Sequence, residues 1–208
     1  MKLVDTFTYN TLYPFMLLGN RLCIDFANTS FCPSNESGKI NSLTDWLFFY
    51  EITGVLDRNE SQNIQKLATK ESDVFAALLN KSLSFRSTIR SILHSIETNS
   101  NLPPRYIKET NEILKNYEGY YVLKGSEQSY QLEYEYSKQN PDRLLVPIAY
   151  SLSKMLTESD KMIRKCANPD CGIYFHDISP KKNRKWCSME LCGNNAKARA
   201  FLDRSRKK

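Results

Sequence analysis

An α+β fold is predicted: a mainly helical N-terminal domain with one β-hairpin over residues 1–160, then a small four-cysteine finger over 161–208. Three patterns predict it. Apolar side chains recur at steps of three and four through much of the first 160 residues. Between 120 and 136 the period drops to two and the residues become aromatic. Near the end, four of the six cysteines fall into two close pairs.

Taken in order, Leu22, Ile24 and Phe26 alternate with Cys23, Asp25 and Ala27 after a Gly19-Asn20 turn, which predicts a strand. Residues 30–41 are rich in Ser, Asn, Pro and Gly and read as a loop. Ser42 or Thr44 caps a helix carrying Trp46, Leu47, Phe49 and Tyr50 that stops at Gly54. A short helix near 59–69 follows. The longest helix is expected over about 72–97, where Phe75, Leu78, Leu79, Phe85, Ile89, Leu93 and Ile96 form one stripe. Pro103-Pro104 opens another. Tyr120–Lys124 and Tyr130–Tyr136 form the hairpin around Gly125–Gln128. Pro141-Asp142 starts a last long helix through Leu156 that runs into the finger without a Gly/Pro linker.

Charge divides the chain in the same place. Residues 161–208 hold 13 Lys and Arg against 4 Asp and Glu, a net of +9, which leaves −3 for the rest of a chain whose total is +6. A cationic end attached to a mildly acidic body suits an anionic partner at one end only. A hydrophobic fraction of 41% excludes a disordered chain. No apolar run is long enough to span a bilayer. The first residues do not resemble a signal peptide, so a cytoplasmic location with reduced thiols is expected. Cys23 and Cys32 stand apart from the pairs, and a disulfide between them is the lesser alternative.

The pairs are Cys166 with Cys171 and Cys187 with Cys192, each C-x4-C, with fifteen residues between. Two tight turns each supplying two thiolates suit one tetrahedral zinc ion. With every ligand position a cysteine, no position is left for a catalytic water, so the metal is structural. Such sites contribute on the order of 10–16 kcal/mol of apparent binding free energy coupled to folding. The competing reading, four reduced core cysteines, leaves the paired spacing unexplained. His176 is the other candidate ligand but reads better as an exposed histidine on a short strand.

Cations flank the pairs. Lys181, Lys182, Arg184 and Lys185 lie in the intervening loop, and Lys197 and Arg199 in a helix expected to begin near Gly193 or Asn194. Asn194 and Asn195 either contact bases or cap that helix. Phe201 and Leu202 are expected to pack towards the metal. Together these residues make a candidate nucleic-acid surface, with DNA the leading partner. The alternatives are RNA, a protein-interaction module without nucleic acid, and solvated charge that merely offsets the thiolates. In the first domain Asp25, Asn28, Arg86, Arg90 and His94 could line a pocket for an anionic small-molecule effector, although surface charge and an ordinary Asp–Arg pair are the plainer reading. A homodimer is a further expectation for this domain. The chain carries no nucleophile elbow, phosphate loop or dinucleotide fingerprint, and an enzyme is not expected.

Cys166–Gly172, Phe175, Asn183-Arg184, Trp186–Met189 and Cys192-Gly193-Asn194 resemble the CGNR zinc finger. Leu22–Thr29 resembles the start of the ABATE domain that commonly precedes it. The resemblance implies a stress-induced transcription regulator. One departure is evident: Asn195 stands where the motif has arginine.

Overall fold

Helices α1 (Leu22–Asn28), α2 (Leu43–Ile52), α3 (Arg58–Lys70), α4 (Ser72–Glu97) and α5 (Pro104–Leu114) precede a hairpin of β1 (Gly119–Ser126) and β2 (Ser129–Tyr136). A 3₁₀ turn (Pro141–Leu145) leads into α6 (Val146–Thr157), followed by β3 (Ile163–Lys165), β4 (Tyr174–His176), a turn of π-helix (Met189–Gly193) and α7 (Asn194–Arg206). These come from a computed structural model that describes residues 1–2, 15–30, 39–126, 129–136, 140–159 and 161–206. Cys32 and the terminal Lys207 and Lys208 lie outside the described residues.

Where local signals were strong, expectation and structure agree. Ser42 caps α2 through a reciprocal bond with Asp45, and Asp57 with Glu60 does the same for α3. Helix α4 buries Phe75, Leu78, Ser82, Phe85, Ile89, Ile92 and Leu93 along one stripe. The hairpin pairs Leu123 with Leu132 and Tyr121 with Tyr134.

Two expectations are corrected. Residues 22–26 are not a strand. They belong to α1, every residue of which is buried, so its two polar residues, Asp25 and Asn28, mark no solvent face from which to read a period of 3.6. A short apolar run looks alike as a buried strand or a buried helix. The last long helix is also broken, because Pro147 lacks an amide N–H and sits in the first turn of α6, leaving Pro141–Leu145 as a separate 3₁₀ turn.

The main core is built on α1, which packs against α4 and α6. Trp46, Tyr50, Phe26, Phe49 and Phe85 are its largest fully buried side chains. Phe15 meets Phe49 edge-on at 5.4 Å between centroids. Tyr50 donates its hydroxyl to the Leu144 carbonyl, which satisfies the polar tip of a buried ring.

Candidate metal centre and cationic surface

Cys166 follows directly on β3. Its amide donates to the Ile173 carbonyl at 2.8 Å, and the Ala167 amide donates to Lys185 at 2.9 Å. The first bond closes the turn of the first knuckle, and the second brings it against the segment that leads into the second knuckle. Gly172 sits at φ 65°, a left-handed conformation that disfavours any side chain, and lets the chain turn from Cys171 back into β4. At Gly193 a Cβ would come within 2.6 Å of the Met189 sulfur and 3.2 Å of Trp186, so a larger residue here requires the exposed Met189 side chain to shift. Ser188 starts the π turn by accepting from the Glu190 and Leu191 amides.

All four cysteine sulfurs lie within 4.8 Å of one another and all four residues are buried. Cys171 and Cys187 are 3.5 Å apart at sulfur, and Cys187 and Cys192 3.6 Å. A tetrahedron with Zn–S bonds of about 2.3 Å has sulfur–sulfur edges of roughly 3.8 Å. The donor set and spacing therefore fit one structural zinc ion held by four thiolates.

The surroundings prepare for that charge. The Cys187 amide donates to the Cys166 sulfur at 3.4 Å, and Asn168 Nδ2 to the Cys192 sulfur at 3.5 Å. The Arg184 guanidinium lies 4.3 Å from the Phe175 ring centroid and donates to the carbonyls of Trp186 and Cys187. Hydrogen bonding from Cys187 holds the Cys171 thiol down to about 6. Burial raises Cys166 to about 11, and the bond given to Cys171, followed by burial, pushes Cys187 up strongly. Bare thiols so close together ionise one before the others. A divalent cation is what allows all four to be thiolates together.

This segment is a CGNR-type zinc finger. Residues 162–207 match the family model of the CGNR zinc finger. No curated protein matches the chain. The finger is a non-catalytic module, in keeping with its closed set of four sulfur ligands.

Asp177, which the sequence reading passed over, organises the finger's loop. Its Oδ2 accepts from Arg164 Nε at 3.1 Å and the Arg184 amide at 2.9 Å. Its Oδ1 accepts from the Ser179 amide and hydroxyl. Burial pushes this carboxyl up, but the bonds from Ser179 and Arg184 and the Arg164 charge together hold it below the usual range. The Asp-x-Ser spacing was the available signal for this turn.

The candidate nucleic-acid residues separate into two groups. Arg184 and Lys182 turn inward: Arg184 braces the second knuckle, and Lys182 donates from Nζ to the Asp177 carbonyl at 3.1 Å. Lys181, Lys185, Asn194, Lys197 and Arg199 are exposed. Arg199 forms a surface pair with Asp170 at 3.3 Å. Asn195 donates Nδ2 to the Leu191 carbonyl at 2.6 Å, tying α7 to the π turn. A cleft of about 340 Å³ lined by Lys161, Arg164, Lys165 and Lys185 runs beside the end of α4.

Two expectations about the finger are corrected. Phe201 and Leu202 do not pack on the metal core; they are 64% and 55% exposed, because α7 leaves the finger beyond its first turns. His176 is on a strand as expected but is buried, with Nδ1 accepting from Arg21 Nε at 3.4 Å.

Four of the pocket candidates surround the seam between finger and helices, whereas His94 is exposed on α4 beside Glu97. Asn28 bonds both backbone groups of Tyr174, donating to its carbonyl at 2.8 Å and accepting from its amide at 2.9 Å. Arg90 donates to the Ala27 and Gly172 carbonyls and stacks over the Tyr174 ring. Arg86 donates to Thr29 and to the Ile40 carbonyl. These two arginines thus place positive charge at the C-terminal end of α1 and tie it to Ile40 and Gly172. Asp25 is not paired with either arginine: Oδ1 accepts from the Gly19 amide at 2.7 Å, and Oδ2 is buried without a hydrogen-bond partner among the described residues. Burial raises its pKa to about 8, against the lowering effect of that backbone bond.

Proposed function

We propose that this chain is a DNA-binding transcription regulator that docks its zinc finger on the phosphate backbone. The observation that supports the reading is the exposure of Lys181 and Lys185 in the loop between the cysteine pairs together with that of Lys197 and Arg199 on α7. All four are exposed, and none is needed to close the cluster. The projecting helix α7 is of a shape that enters a major groove. The resemblance of Leu22–Thr29 to the ABATE domain supports a regulatory helical part that senses a small-molecule effector, in a cytoplasmic protein.

Four phosphate contacts give a log–log salt dependence of affinity near −3.6. The expected result is that slope for zinc-loaded protein on duplex DNA, reduced in magnitude by about 1.8 in the K181A/K185A variant. An affinity that hardly changes between low and moderate salt rules the reading out. Competition by single-stranded RNA over matched duplex would reassign the surface to RNA. The exposed Phe201 and Leu202 favour a second reading, a protein-interaction module. Partners that persist in pull-downs after nuclease treatment, and are lost on F201S/L202S, would select it.

A further inference from the structure

The β1–β2 hairpin carries a surface that neither the finger nor the main core explains. Its register places Tyr121 and Leu123 on the same face as Leu132 and Tyr130. All four are between 65% and 69% exposed. Gly125 lies opposite Tyr130, and a Cβ there would come within 2.3 Å of the Ser129 carbonyl oxygen and 2.7 Å of the Tyr130 ring, so the close approach of the two strands here requires glycine. Among the described residues no helix or other strand packs extensively against the hairpin. A two-stranded sheet left in water is marginal, and three strands or an apolar partner is the usual requirement.

The chemistry of the face selects its occupant. Lys124 and Glu135 belong to the opposite face, where they pair with each other at 2.9 Å. A nucleic acid would find no cation among Tyr121, Leu123, Tyr130 and Leu132, and a charged protein surface would find no counter-charge. A patch made only of tyrosine and leucine is complementary to itself about a two-fold axis. The area is sufficient as well. Side chains of this kind, two-thirds exposed, each leave roughly 100–150 Å² accessible, so two such faces cover on the order of 1,000 Å². That is about the lower bound for a specific interface.

We infer that the hairpin is a homodimerisation element, in which Tyr121, Leu123, Tyr130 and Leu132 of two copies pack face to face. The inference is independent of nucleic-acid binding, and its test contains no nucleic acid.

The test is sedimentation equilibrium of the zinc-loaded full chain in reductant. The expected mass is twice the 24.1 kDa of one chain, falling to 24.1 kDa in the L123K/L132K variant, where like charges meet across the axis. A Tyr120→Ser variant on the opposite face keeps the dimer mass. Wild-type protein that remains at one chain mass at about 100 μM, or a dimer that survives L123K/L132K, overturns the proposal. Hydrogen exchange on the wild type covers the case in which the lysine variant misfolds. Protection of the β1 and β2 amides that rises with protein concentration supports the interface, and protection independent of concentration overturns it.

Discussion

The helical body and the finger solve the same problem by different means. The body buries Trp46, Tyr50, Phe26, Phe49 and Phe85 among aliphatic neighbours, and its stability is a matter of area removed from water. The finger's buried cluster is Cys166, Cys171, Ile173, Phe175, Cys187 and Cys192, with Leu18 and Trp186 packed against it. Two apolar side chains among four sulfurs cannot close a core, so coordination has to supply what hydrophobic burial does not. Strand β4 serves both. Tyr174 belongs to the body's core and Phe175 to the finger's, because successive side chains on a strand point to opposite faces. The seam is also tied by polar bonds: the His176 amide donates to Gly19 at 3.0 Å, and Arg21 pairs with Glu158 at 2.5 Å while reaching the His176 ring.

Removing the metal is the strongest way to test whether these are two cores or one. Chelation, or Cys171→Ser, is expected to cost the finger on the order of 10 kcal/mol and to unfold it. The helices α1 to α6 would keep most of the far-UV circular dichroism. Metal analysis should give one zinc per chain before treatment. Collapse of the helical signal together with zinc loss would show that the body depends on the finger.

A smaller break is Asn28→Ala, which strands both backbone groups of Tyr174 at the seam. A loss of about 2–4 kcal/mol is expected. Denaturation followed separately by tyrosine signal and zinc release should then split into two transitions. Coincident transitions would place the coupling elsewhere.

Asp25 tests the body alone. Its pKa is raised from 3.8 to about 8 by burial, so the folded chain holds a proton there that the unfolded chain releases. The stability contributed by this group is full below about pH 4 and is lost as pH rises through about 8. Asp25→Asn, which keeps an acceptor for the Gly19 amide, is expected to be near neutral at pH 4 and stabilising by about 1–3 kcal/mol at pH 8. Urea melts at the two pH values check the sign; equal shifts at both would mean that Asp25 does not change protonation on folding.

The smallest effect belongs to the surface. K181A/K185A should move stability by less than about 0.5 kcal/mol, because both side chains are exposed. On the proposed function, its influence is confined to the salt dependence of DNA affinity. A large drop in melting temperature would mean that these lysines support the finger.

How far the sequence could be read depended on whether a signal was local. The Ser42 cap and the α4 stripe are written within a few residues of one another, and so were legible; the Asp57 cap of α3 was as local but was not read. Helix α1 was not legible, because a helix buried on every side has no periodicity. Asn28 and Arg90 were recognised as polar residues of interest, but their partners, Tyr174 and Gly172, lie far along the chain. Arg184 read as a phosphate contact because an arginine in a basic loop looks the same whether its guanidinium faces solvent or lies on Phe175.

The sequence by itself determined the metal chemistry, since four cysteines in two C-x4-C pairs specify ligand type, number and turn geometry without reference to any other part of the chain. It also determined the long helix and the hairpin, whose side-chain periods are intrinsic to their backbones. Only the tertiary structure decided that Asn28 and Arg90 bind the finger's backbone, that Asp25 is buried without a charged partner, and that Phe201 and Leu202 remain in water. Those outcomes follow from which elements meet in space, and a contact between residues far apart in the chain leaves no pattern in the sequence near either one.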